Sequence, residues 1–226
     1  MTIDRSRFKA TPVYQMILQS ILMYDADNKF KYFSDYIFNM ENYLKETQIE
    51  YDREMTSQRE NIYDNDEMEM FIGHYEGVVE QYFKFNPSLL YNSTFISLYS
   101  YIEVTLVKLF KTVIKADNYD LEKCIALLKN YLPFKSLRTI EKTFKDYRVI
   151  RNTIIHSNAY ILSPKNFAEV RKIADRLPSI ELDESIRSYS FKDSYLLQKF
   201  NGEIKDFLMY VARHFDIDYL EKIKAV

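Results

Sequence analysis

The sequence predicts an all-α fold. Three observations carry that expectation. Apolar residues recur at three- and four-residue spacing along almost the whole chain, the period of a helix that buries one face. Only Gly73, Gly77 and Gly202 are glycine among 226 residues, so tight β-turns lack the residue they most often need. Cap-plus-proline pairs, Asn86-Pro87 and Ser163-Pro164, read as helix starts.

Taken in order, a long segment from Asn28 to about Asn61 carries Phe30, Phe33, Ile37, Met40, Leu44, Thr47, Tyr51 and Met55 on one apolar seam. It ends in the acidic turn Asp64-Asn65-Asp66-Glu67. A second segment with Met70, Phe71, Tyr75, Val78, Val79 and Tyr82 follows, and the 28–85 pair reads as a long helical hairpin. Asn86 as N-cap and Pro87 at the first helical position open a helix through Leu98, Ile102, Leu106, Leu109 and Val113. Asp120 caps a short helix that ends before Pro133. The next helix, from about Phe134 to Asn158, uses Ile140, Phe144, Tyr147 and Ile154. Ser163-Pro164 opens another, which Pro178 bounds, and a polar loop is expected from Ser179 to about Ser190. Tyr195, Leu196, Phe200, Ile204, Phe207, Leu208 and Val211 mark the last long helix. With no repeat, low-complexity tract or strong linker, residues 1–226 read as a single domain: the hairpin, a central unit over 88–165, and C-terminal helices over 166–226. The seam of the 28–62 helix suits either packing inside the protomer or a dimer interface.

Composition excludes several function classes. Apolar residues make up 47% and charged residues 28%, as in a globular protein. Neither a GxGxxG nor a Walker loop is present, because both need glycine where backbone amides crowd a phosphate. One cysteine, Cys124, makes no internal disulfide, which fits a reducing, cytoplasmic setting. No apolar leader stands in MTIDRSRFKATP, and no run of about 18 apolar residues suggests a membrane span. His74, His156 and His214 lie in no HxxxH or HExxH pattern, and no ExxH pair is evident, so no metal is expected. Spacing alone leaves a Ser/His/Asp or Cys/His arrangement open, although Cys124, within Cys-Ile-Ala-Leu-Leu, reads as a buried inert thiol.

The net charge of −2 averages two unequal regions. Residues 25–80 hold 15 acidic and five basic side chains, a net of −10. Residues 108–151 hold 11 basic and five acidic ones, a net of +6, a surface that would attract phosphates. Within that region, winding 100° per residue places Arg151 in the middle of the apolar face formed by Ile140, Phe144, Tyr147 and Ile154. A guanidinium there must be paired or face a cleft. Glu141, Lys145, Arg148, Asn152 and His156 form a polar flank, on which the Asn152 amide can hydrogen-bond the imidazole four residues on. Arg151 and His156 diverge by about 140° on an ideal helix. Joint action therefore needs a long reach, a distorted turn or a second copy.

Arg151-Asn152-x-x-x-His156 resembles the Rx4–6H signature of HEPN domains, in which a polar residue, often Asn, follows the arginine. The context is similar too, with a helix of the type Ser97-Leu98-Tyr99-Ser100-Tyr101-Ile102-Glu103 ahead of the motif helix. The resemblance spans about 88–165 and points most closely to prokaryotic toxin-like or defence-associated HEPN ribonucleases. It implies a HEPN-like helical bundle, a homodimer whose two motifs meet in a basic cleft, and cleavage of single-stranded RNA with no metal or cofactor. It also implies an antitoxin or nucleotidyltransferase partner, or a role in phage defence. Under the resemblance Arg151 holds the scissile phosphate, His156 moves the proton and Asn152 supports them. Glu103 is a candidate buried partner for Arg151. Lys142, Lys145 and Arg148 are candidate RNA contacts by position, and Tyr160 a candidate stacking residue. The alternative is a non-catalytic HEPN module that binds a nucleotide, an RNA or a partner protein. A helical adaptor with Arg151 paired in its core is the third reading.

Overall fold

Residues 12–114, 120–131, 137–157, 159 and 161–214 are described by the computed structural model, and their fold is all-α with one small hairpin. Helix α1 runs over Pro12–Arg59, about 72 Å at 1.5 Å per residue. It continues well N-terminal of Asn28, whose amide sits in mid-helix and donates to the Tyr24 carbonyl at 3.0 Å. The predicted seam is the buried one. Phe30, Ile37, Met40, Leu44 and Met55 are buried, joined by Leu22 and Ala26.

Helix α2 covers Asn65–Val79, capped as its acidic start suggested: the Asp64 carboxylate accepts from the Asp66 and Glu67 amides at 2.8 and 3.2 Å. Here one expectation fails. Asn86 is not an N-cap, because its backbone is helical (φ −60°, ψ −46°) and a π-helical segment, Glu80–Phe85, leads straight into α3, Asn86–Ile114. The reason lies in Pro87, which has no N–H and whose ring would collide with the carbonyl of Phe83 in a regular α-helix. Widening the ladder relieves that conflict, and the Asn86 amide bonds back to Gln81, five residues earlier. Proline therefore distorts a continuous rod instead of starting a helix.

That rod lies antiparallel to α1 along its length. The Tyr51 and Tyr82 rings meet at 3.9 Å, Thr94 Oγ1 lies 3.6 Å from Met40 Sδ, and Tyr101 packs on Phe30 and Phe33 at 5.3 and 5.9 Å. The helical hairpin expected at 28–85 thus extends through α3.

Helix α4, Leu121–Tyr131, begins where Asp120 Oδ1 accepts from the Lys123 amide at 2.8 Å. Helix α5, Leu137–Ser157, carries the Arg–His motif. Helix α6, Pro164–Ala174, starts as predicted, with Ser163 Oγ accepting from the Asn166 amide, and stops a turn short of Pro178.

The stretch expected as a polar loop is instead an antiparallel pair, β1 (Ile180–Asp183) and β2 (Ser188–Phe191), with Ile180 opposite Phe191 and Leu182 opposite Tyr189. Its alternation of Ile180, Leu182, Tyr189 and Phe191 with polar residues is a strand signal that the many polar side chains mask. Arg187 at φ 53° serves the turn in place of glycine.

Helix α7, Tyr195–His214, is the central element, burying Leu196, Leu197, Phe200, Ile204, Phe207, Leu208 and Val211. It runs antiparallel to α1, tied by Ser194 to Glu41 (2.7 Å), Asn201 to the Phe30 carbonyl (3.0 Å) and Ser34 (2.7 Å), and Lys205 to Asp27 (2.8 Å). The α1 seam between Leu22 and Leu44 therefore belongs to the core of this protomer, packed with α3 and α7. No helix among the described residues is long and apolar enough to cross a membrane.

Phe200 meets Phe95, Tyr99 and Tyr147 with ring centroids 5.0, 6.4 and 4.1 Å away. Replacing it by alanine removes the shared contact of three helices. Phe200→Ala is expected to lower stability by about 3–5 kcal/mol, measured as a fall in the urea midpoint with an unchanged slope.

Candidate functional site

The position of α5 is set by its buried face. Phe144, Tyr147, Ile150 and Ile154 face the core. The Tyr147 hydroxyl donates to Glu203 Oε2 at 2.6 Å, and its ring lies edge-on to Phe95. Burial first, and then the Glu203 carboxylate, push the Tyr147 phenol far above its usual value, so it stays a donor.

The end of the motif helix is latched by β2. The Thr153 hydroxyl and the Tyr189 phenol lie 2.8 Å apart, each within reach of the Ile150 carbonyl at 2.8 and 3.2 Å. The chain then turns through Ala159 and Ile161, both left-handed at φ 62° and 49°. Such conformations cost an L-residue roughly 1–2 kcal/mol each. They are held by bonds from the Ala159 amide to Thr153 (3.3 Å), from Tyr189 to Ala159 (3.2 Å) and from Leu162 to Arg187 (2.8 Å). The hairpin that replaced the expected loop therefore fixes the turn directly after His156.

Arg151 is half-buried. Its Nη1 donates to Asn152 Oδ1 at 2.9 Å, and its guanidinium carbon lies 5.7 Å from the centre of the Tyr99 ring. Its Nε is buried with no hydrogen-bond acceptor among the described residues. Tyr99 is buried, and that burial, followed by the nearby Glu103 charge, pushes its phenol up to about 12 against the opposing pull of Arg148 and Arg151. It remains neutral and offers a ring face to the arginine.

Two expectations are corrected here. Glu103 is only half-buried and makes no ion pair with Arg151 among the described residues; the guanidinium is instead met by the Tyr99 ring and the Asn152 oxygen. Asn152 turns its oxygen to Arg151 and not its amide to the imidazole. His156 is exposed on the last turn of α5.

The candidate RNA contacts differ from one another. Lys145 pairs with Glu141 at 2.9 Å, which holds its ammonium above the usual range, and Arg148 pairs with Glu122 at 2.5 Å. Lys142 is exposed, and Tyr160 lies outside the described residues. A groove of about 230 Å³ between α3, α4 and α5 is lined by Tyr99, Glu122, Ile125, Glu141, Phe144 and Lys145. Asp146, farther round α5, is taken by Arg176 at 2.7 Å. The structure thus brings Arg151, Asn152 and Tyr99 together, with Glu103 close enough to act on Tyr99 but in no ion pair with Arg151 among the described residues, and His156 exposed on the last turn of α5. Tyr99 is the member that the sequence alone did not single out. It lies within the Ser97–Glu103 segment, but nothing in the spacing shows that its ring meets an arginine 52 residues later.

Other chemistry-bearing residues contribute little. His74 is exposed, and His214 stacks on Tyr210 at 4.2 Å. No cluster of three His, Cys, Asp or Glu among the described residues is placed to hold a metal. Cys124 is buried, and burial pushes its thiol up to about 12. It should resist a thiol-specific chromogenic reagent at pH 8 in native protein, and react within seconds once urea exposes it. Rapid native labelling would show instead that α4 opens readily. No protein-family model matches the chain, and neither a curated protein nor a solved structure does.

Proposed function

We propose that the chain is a metal-independent endoribonuclease of the HEPN type. It would cut single-stranded RNA to leave 2′,3′-cyclic phosphate and 5′-OH ends. One observation carries this reading: Arg151 is the half-buried cation on α5 that no carboxylate among the described residues neutralises, while Lys145 and Arg148 beside it are both paired. Withholding a carboxylate from a desolvated guanidinium is costly. A phosphate is the anion whose geometry matches its remaining N–H groups.

The chemistry then needs one proton carrier. His156, exposed on the same helix, takes the proton of the 2′-OH. The 2′-oxygen attacks the adjacent phosphorus, the bond to the 5′-oxygen breaks, and the leaving 5′-oxygen takes its proton from water, while the His156 imidazolium returns its own to solvent. Arg151 offsets the extra negative charge of the transition state. Asn152 keeps the guanidinium in place through the 2.9 Å bond. Lys142, Lys145 and Arg148 would steer the RNA, the last two by exchanging Glu141 and Glu122 for phosphates.

Because Arg151 and His156 diverge by about 140° around α5, a homodimer is part of the proposal. Two crossing α5 helices would set the imidazole of one copy beside the guanidinium of the other. Ile155, 48% exposed between them, is an apolar residue suited to that contact. A cytoplasmic toxin or anti-phage effector, restrained by an antitoxin or a nucleotidyltransferase, is the setting that the motif's resemblance suggests. The second reading, a module that binds RNA without cutting it, is favoured by the same divergence within one protomer.

RNA cleavage in the presence of EDTA should fall by about 10²–10⁴-fold in Arg151→Ala and in His156→Ala, both folded as the wild type by circular dichroism. Full activity in either variant would remove that residue from the site. Mixing the two inactive variants distinguishes the geometries. A site shared between copies should recover about a quarter of wild-type activity, since half of the dimers are mixed and each holds one intact site. A site contained in one chain stays inactive.

A further inference from the structure

On the far flank of α3 from Arg151, a groove of about 370 Å³ runs between α1 and α3. One wall is aromatic. Tyr32 and Tyr36, one turn apart on α1, are 66% and 50% exposed, and Phe33 forms the floor, packed on Tyr101 at 5.9 Å. The other wall carries Ser93 and Ser97, one turn apart on α3. Their hydroxyl protons go to the carbonyls of Leu90 and Ser93 at 3.0 and 2.9 Å, so toward a ligand these two exposed hydroxyls act as acceptors. Lys29 stands at the rim, one turn from Phe33 and exposed.

Large side chains exposed in this way are not there to fill the core, which takes Phe30, Ile37 and Met40 from the neighbouring stripe of α1. Two open phenol rings, hydroxyl acceptors and one cation together match a planar base with hydrogen-bond donors on its edge and a phosphate beside it. Every base has a face that stacks on tyrosine, so such a groove is tolerant of sequence.

Its location ties it to the α5 site. Ser97 lines the groove, and Tyr99, two residues on, carries Arg151. At 100° per residue the two side chains leave α3 on different flanks, only about 3 Å apart along its axis. Ser100, half-buried, lies between them. Crossing from α1 over α3 to α5 spans two helix spacings, about 20 Å, a distance that a few nucleotides of single strand cover.

We infer that the groove between α1 and α3 is a base-stacking subsite for single-stranded RNA. It holds nucleotides a few positions away from the phosphate bound at Arg151. The inference rests on the ribonuclease reading for its orientation toward Arg151, but its binding test does not require cleavage.

The probe is a fluorescent 2′-O-methyl octanucleotide, which lacks the attacking hydroxyl and so reports binding alone. Its affinity should fall at least tenfold in Tyr32→Ala/Tyr36→Ala and return with Tyr32→Phe/Tyr36→Phe, which keeps the rings. Cleavage of a dinucleotide, too short to reach the groove, should be unchanged in the alanine pair. Equal octanucleotide affinity in wild type and the alanine pair overturns the subsite, as does the absence of any octanucleotide binding by the wild type. A wild type that cuts no RNA, yet loses octanucleotide affinity on removal of the two rings, would overturn the ribonuclease reading and leave the subsite standing.

Discussion

The structure depends on the packing of α7 through the middle of the bundle, and above all on Phe200. Its ring touches Phe95 and Tyr99 of α3 and Tyr147 of α5, so one side chain sets the spacing of three helices. Aromatic rings suit this role because each buries a large area and constrains its neighbours to edge or offset contacts. The polar bonds along α7, from Asn201 and Ser194 to α1 and from Tyr147 to Glu203, then select the register of helices that hydrophobic burial alone would allow to slide.

That packing also positions Arg151. Tyr99 shares the Phe200 cluster on one side and supports Arg151 on the other, so the guanidinium is positioned by the same contacts that build the core. An arginine in this place needs compensation, and it receives an amide oxygen and a ring face where a carboxylate would be the stronger partner. Glu141 and Glu122 pair with Lys145 and Arg148, and Asp146 with Arg176. The result is a half-buried guanidinium that no carboxylate among the described residues neutralises, on a helix where Lys145 and Arg148 are paired. Beyond His156 the left-handed Ala159 bonds to Thr153 of α5 and Tyr189 of β2, and Leu162, next to the left-handed Ile161, bonds to Arg187 at the hairpin turn.

Much of the helical framework was legible in the residues. Asp64, Asp120 and Ser163 cap helices because their short oxygens reach the orphan amides two or three residues on, a purely local geometry. The seam from Phe30 to Met55 was readable because the helical period decides which side chains share a face. The errors have local causes of a different kind. Pro87 signals a helix start only if the preceding turn is free to end, and here tertiary contacts with α1 keep the chain helical through a π-segment. The β1–β2 pair has only four residues per strand and no glycine at its turn, so its alternation was outweighed by its polarity.

The sequence by itself determined the all-α class, the order of the helices, and the presence of Arg151, Asn152 and His156 on one helix. Each of these follows from spacing along a single chain segment. Only the tertiary structure decided that Arg151 rests on Tyr99, that Glu103 stays out of an ion pair with it, and that the α1 seam is covered by α3 and α7. It alone placed an open aromatic groove at the height of the motif, on the other flank of α3. The physical reason is the same in each case. Contacts between turns of one helix are dictated by its period, whereas contacts between helices depend on how residues 50 to 170 positions apart fill one another's grooves.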